Sequence, residues 1–192
     1  GDLSEEGIAA FFPKMTGKMD CADKGLDILA GLLNDPTDAG MELLVGHLDL
    51  VFKWLTLRLC ERESVKSLNK MLEVMVGMLT KLQEISYTLS DPEALVFIPY
   101  VLEKSGQTKP RIKALFATCR ELLSQLYPAA RYTTFAVNLL PLTKNAKTRV
   151  AVMEDTARMV RTHGMAGLSK KNKTVLWPLV AKSVDASDAE EH

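Results

Sequence analysis

The sequence predicts an all-α fold of helical pairs stacked side by side, and three observations carry that expectation. Apolar residues recur at helical spacing along most of the chain, as in Leu68, Leu72, Met75, Leu79 and Leu82, or Ile112, Phe116, Cys119 and Leu123. Turn signals interrupt them at regular intervals: NDPTDAG at 34–40, SDPE at 90–93 and the Tyr127-Pro128 break. Residues 43–59 carry two apolar stripes, Leu44, Leu48, Val51 and Leu55 beside Leu43, Leu50, Trp54 and Leu57. A helix apolar on two sides needs neighbours on two sides, which stacking supplies.

Taken in order, the helices read as pairs: 4–14 with 19–34, 42–61 with 65–83, 92–104 with 109–126, and 129–142 with 146–163. In the last of these, Val150, Met153, Ala157 and Val160 mark the apolar stripe, and Gly164 after Arg161-Thr162-His163 marks the stop. A further first helix is expected at 173–184, giving about four and a half pairs. First helices starting near 42, 92, 129 and 173 give a period of roughly 37–50 residues, close to that of HEAT and armadillo repeats. The expected fold is thus a HEAT-repeat α-solenoid over residues 1–184, with a disordered acidic tail at 185–192. A plain helical bundle is the alternative.

Composition narrows the function classes. Formal net charge is zero, but the average hides a polarised chain. Residues 104–173 hold 14 Lys/Arg against 3 Asp/Glu, whereas residues 1–38 hold 8 acids against 3 lysines. Such a chain presents a basic surface, and an acidic partner complements it. Cys21, Cys60 and Cys119 are odd in number and show no metal-ligand spacing, so no disulfide framework or zinc site is read and a reducing compartment is expected. The most apolar segment, 43–60, is too short and too charged to span a bilayer, and no signal peptide is visible. No phosphate loop, nucleophile arrangement or cofactor motif is found, so no enzyme and no cofactor are expected.

In a HEAT-type array the short loops within each pair line up along one edge. Here these loops are 15–19, 61–64, 105–109, 143–147 and 185–188, which places Lys18, Lys109, Lys144 and Lys147 on that edge.

The stretches LDLVFKWLTLRL (48–59), FIPYVLEKSG (97–106), LYPAARYTTF (126–135), TKNAKTR (143–149) and the THG ending (162–164) resemble TOG domains of the microtubule polymerase family, the ch-TOG and Mini spindles type. They look most like the fifth TOG domain of the animal members, over roughly residues 24–164. The resemblance implies a paddle of HEAT repeats whose loop edge binds αβ-tubulin, free or in the microtubule lattice. Carried over by position, the tubulin-binding residues are Lys18, Met19, Lys109, Lys144, Asn145 and Lys147. Met19 stands where strongly binding TOG domains present a tryptophan, and residues 185–188 lack the basic residue expected of a fifth loop. Lys113 and Arg149, early on second helices, are expected to tie the stack together. A location on microtubules, spindle or centrosome in the cytoplasm is likewise implied.

Ordinary structural roles account for other conspicuous residues. Trp54 and the Met71, Met75, Met78 stripe are expected in the core, and Trp177 partly exposed. His47 is expected to be packed or at an edge, and His163 to sit at a helix C-terminus, where a cation is favoured. Two other functions compete: a general HEAT scaffold for an acidic protein, and nucleic-acid binding through residues 104–173. The second is disfavoured because RNA-reading helical repeats stack bases on aromatic side chains, and only 6% of residues are aromatic. The domain is expected to bind neither nucleic acid nor membrane, and to be monomeric in isolation.

Overall fold

Eight α-helices follow one another through the residues that the computed structural model describes, 19–35, 39–61, 64–164, 168–170, 172–176 and 178. They are α1 (Met19–Leu33), α2 (Ala39–Gly46), α3 (Leu48–Cys60), α4 (Val65–Glu84), α5 (Asp91–Lys104), α6 (Pro110–Leu126), α7 (Ala129–Leu139) and α8 (Ala146–His163). No strand occurs among the described residues. The expected helix at 4–14 lies outside them, and of 173–184 only the first turns, continuing a helix that includes 172–176, are described.

The helices form two rows. First helices α3, α5 and α7 pack successively in one row, and second helices α1, α4, α6 and α8 in the other. This is the stacking expected of a HEAT solenoid, in which each pair buries its faces against the pairs on either side. Phe52 of α3 and Phe97 of α5 stack with ring centroids 4.4 Å apart, both fully buried. Ile112, Phe116, Cys119 and Leu123 of α6 and Leu72, Met75, Leu79 and Leu82 of α4 are buried in the other row. Residues 168–176 extend the first-helix row: Leu168 and Leu176 pack with Val137 of α7, and Asn172 donates from Nδ2 to Thr134 Oγ1 at 2.8 Å.

Side-chain pairs fix the direction of the second helices. Ser67 near the start of α4 donates to Asp23 near the start of α1 at 3.2 Å. Arg111 at the start of α6 pairs with Glu73 of α4, and Gln83 and Gln125 pair at the far ends of those two helices. These helices run parallel, so their N-termini share one edge of the array. That edge carries the loops within the pairs.

Four expectations need correction. The helix at 42–61 is broken at His47, whose φ of −126° and ψ of 19° interrupt the ladder between α2 and α3; His47 Nδ1 lies 3.1 Å from Leu43 O. Of its second stripe, Trp54 is buried but Leu57 is 55% exposed, because only the first stripe faces the next pair. The stripe Val150, Met153, Ala157, Val160 is only partly inward: Met153 and Val160 pack half-buried against core clusters, while Val150, 55% exposed, and Ala157 face solvent. The buried face of α8 includes Thr148, Val152, Asp155, Thr156 and Met159 instead. Helix α7 also ends at Leu139 rather than 142, because Pro141 has no N–H for the ladder.

Trp54 and the methionine stripe do lie in the core, at 3% exposure or less. Trp54 reaches α1 because position 25 is glycine: a Cβ there would stand 2.9 Å from Trp54 Cζ2.

Candidate functional site

The loops 105–109 and 143–147 are built as one unit. Asn145 is the N-cap of α8, and its Oδ1 accepts from the backbone N–H of Lys147 at 3.0 Å and of Thr148 at 3.4 Å. Thr148, fully buried, turns its hydroxyl the other way and donates to Glu103 O at the end of α5, 3.0 Å away. Gly106 lies against the same residue. A Cβ at position 106 would sit 2.3 Å from Thr148 Oγ1 and 2.5 Å from Thr148 N, so only glycine lets the loops approach this closely. Arg149 closes the turn by donating from Nη2 to Thr143 O at 3.0 Å.

Lys109, Lys144 and Lys147 project from this double loop as exposed side chains. None of them has a carboxylate partner among the described residues. Lys109 is the N-cap residue of α6, and Lys147 lies in the first turn of α8. A helix N-terminus carries a partial positive charge, so a cation there is electrostatically unfavourable. The first turns of α4, α6 and α8 contain no acidic residue, and Lys66, Arg111 and Lys147 stand in them instead. Three earlier helices follow the opposite habit, with Glu42 in α2, Asp49 in α3, and Asp91 and Glu93 in α5 occupying their first turns, whereas α7 has no acid there. At α4, α6 and α8 the loop edge therefore adds cationic side chains to helix-end charge of the same sign, while α3 and α5 compensate theirs.

The opposite edge is a network of satisfied charges. Glu93 accepts from the Ser90 N–H and hydroxyl, both at 2.7 Å, and from Tyr87 OH at 2.9 Å. Burial and that hydrogen bond push the Tyr87 phenol up to about 12. Asp91 accepts from Tyr127 OH at 2.9 Å and from Arg131, and these donors hold its carboxyl below the usual aspartate value.

The structure brings together Lys109, Lys144, Asn145 and Lys147. Asn145 is committed to capping through Oδ1. Lys18 lies outside the described residues; α1 begins at Met19 on the same edge, with its side chain outside them. Neither residue expected to tie the stack is seen doing so: Arg149 closes its own turn on Thr143 O, and Lys113 is exposed and holds no carboxylate among the described residues. The buried cation that joins repeats is Arg120, donating from Nε to Asp155 Oδ2 at 2.9 Å between α6 and α8. Sequence reasoning did not single out Arg120, because its partner is 35 positions away. Lys66 was also missed; its signal is its place directly after the Ser64-Val65 helix start.

No family model matches the chain. It is 26% identical to Centrosomal protein 224 of Dictyostelium discoideum over 166 residues, 86% of this chain and 8% of that protein. It is 26% identical to Protein mini spindles of Drosophila melanogaster over 133 residues, 69% of this chain and 6% of that protein. The chain thus spans under a tenth of the length of these relatives. A solved structure from work on TOG–tubulin binding specificity in microtubule dynamics and mitotic spindle formation superposes with a TM-score of 0.76 and 23% identity, covering 89% of this chain and 66% of that one. The chain thus shares its helical-repeat fold with that solved structure.

Proposed function

We propose that this chain is a non-catalytic TOG-type domain that binds αβ-tubulin, free or within the microtubule lattice, through its loop edge. Within the TOG domains it is most like the fifth, and its parent protein promotes microtubule growth at spindle or centrosome. The carrying observation is that lysines with no carboxylate partner among the described residues stand at helix N-termini, where they oppose the helix dipole. An arrangement that costs stability in the free domain is repaired by an anionic partner, whose charge meets both the lysines and the helix ends. Lys109, Lys144 and Lys147 make those contacts, Asn145 sets the loop that presents the last two, and Lys18 and Met19 extend the edge at the first repeat. Growth promotion then follows from several such domains holding tubulin at high effective concentration.

The test is size-exclusion chromatography of the chain with αβ-tubulin at low and raised ionic strength, for the wild type and for Lys144→Glu combined with Lys147→Glu. Co-elution that weakens with salt and vanishes in the folded double variant is expected. Wild-type-like co-elution of that variant would remove the edge from the reading.

A further inference from the structure

Among the large apolar side chains described as exposed, Leu142 stands out at 75% exposure, and it lies in the middle of the lysine edge, two residues before Lys144. Single exposed leucines are common on protein surfaces; two features separate this one. First, its backbone is pinned on both sides. The N–H groups of Leu142 and Thr143 both donate to Leu139 O at 3.0 Å. Thr143, 8% exposed, accepts from Arg149 through its own carbonyl at 3.0 Å. The leucine is therefore held out to solvent by a rigid turn. Second, it borders a depression of about 480 Å³ lined also by Lys144, Asn145 and the Glu103–Lys104 ion pair, which leaves Lys144 as the lining cation with no carboxylate partner among the described residues. An aliphatic knob beside the exposed Lys144, two residues away, matches an apolar recess with carboxylates at its border.

We propose that Leu142 is the apolar anchor of this edge, inserting into an apolar recess bordered by acidic residues on αβ-tubulin. The proposal rests on the tubulin reading above and adds a division of labour to it. The lysines supply attraction that salt screens, and Leu142 supplies burial that salt does not screen. Interface hot spots are desolvated centres within a polar rim, and a backbone already held in place leaves only the side-chain rotamers to be ordered on binding. The anchor thus lies on the fourth loop, at Leu142.

The experiment is the dissociation constant for αβ-tubulin, measured by fluorescence anisotropy across a potassium chloride series. Wild type, Leu142→Ser, Leu142→Met and the Lys144→Glu, Lys147→Glu double variant are compared. Leu142→Ser is expected to weaken binding about ten-fold at every ionic strength, with unchanged salt dependence. Leu142→Met should bind like wild type, and the lysine double variant should lose affinity and salt dependence together. If Leu142→Ser binds within about two-fold of wild type while the lysine variant fails, the anchor is wrong and the tubulin edge stands. If wild type does not bind αβ-tubulin at any ionic strength, both fall.

Discussion

Arg120 Nε and Asp155 Oδ2 lie 2.9 Å apart in the interior between α6 and α8, with side chains only 5% and 7% exposed. The same carboxylate oxygen accepts from Tyr132 OH of α7 at 2.9 Å, so one aspartate joins three helices of two successive repeats. Burial, with the nearby Asp155 charge, holds the Tyr132 phenol well above its usual value. Breaking such a pair strands a buried charge. Asp155→Ala should lower unfolding free energy by about 3–5 kcal/mol in urea titration. Replacing both partners, Arg120→Met with Asp155→Leu, should recover most of the loss; a double variant as unstable as the single one would show that the charge is not the cause.

Lys147→Glu should leave the domain at least as stable as wild type. The substitution puts an acid in the first turn of α8, where the helix dipole favours it by about 0.3–1 kcal/mol. A rise in melting temperature alongside lost tubulin binding would identify Lys147 as a residue kept for contact. A clear fall in melting temperature would mean that Lys147 has a structural partner.

Gly106→Ala should destabilise the domain by about 1–3 kcal/mol, because the new methyl meets the backbone nitrogen of Thr148, which cannot move without displacing α8. Thermal melts of the variant and of a Gly106→Ala, Thr148→Ser control would locate the clash. Equal losses in the two are expected, since both keep the oxygen and the backbone.

Asp91 gives the acid limb of stability a defined contributor. Its carboxyl is held below its ordinary value of 3.8 by hydrogen bonds from Tyr127 and Arg131. A depressed carboxyl stabilises the fold above the ordinary pKa, and that contribution is lost as pH falls through the lower folded-state value. Asp91→Asn should therefore flatten the fall of melting temperature below about pH 4. An unchanged profile would assign the acid limb to other carboxylates.

Much of the architecture is legible in the sequence because helix ends announce themselves chemically. Ser64, the Ser90 to Glu93 segment, Pro110 and Asn145 mark starts that the structure places within a residue or two of expectation. The break at His47 was not legible, since the apolar pattern runs through it unaltered. Nor was the inward face of α8, where Thr148, Asp155 and Thr156 are buried with hydrogen-bond partners while Val150 and Ala157 of the expected stripe face out. Polarity misleads wherever burial is satisfied by long-range partners. The lysine edge was legible because repeat register alone puts the loops on one side. Leu142 was not, because Leu139, Leu140, Pro141 and Leu142 read as the tail of a buried helix.

The seating of Gly106 on Thr148 has a kinetic corollary. With loops 105–109 and 143–147 clamped to each other, neither has a search to complete after encounter, so charged partners should be captured in one phase. Stopped-flow traces would then fit a single exponential whose rate rises linearly with partner concentration and does not level off. The turn is, in effect, a plug with fixed pins: it meets its socket ready-made.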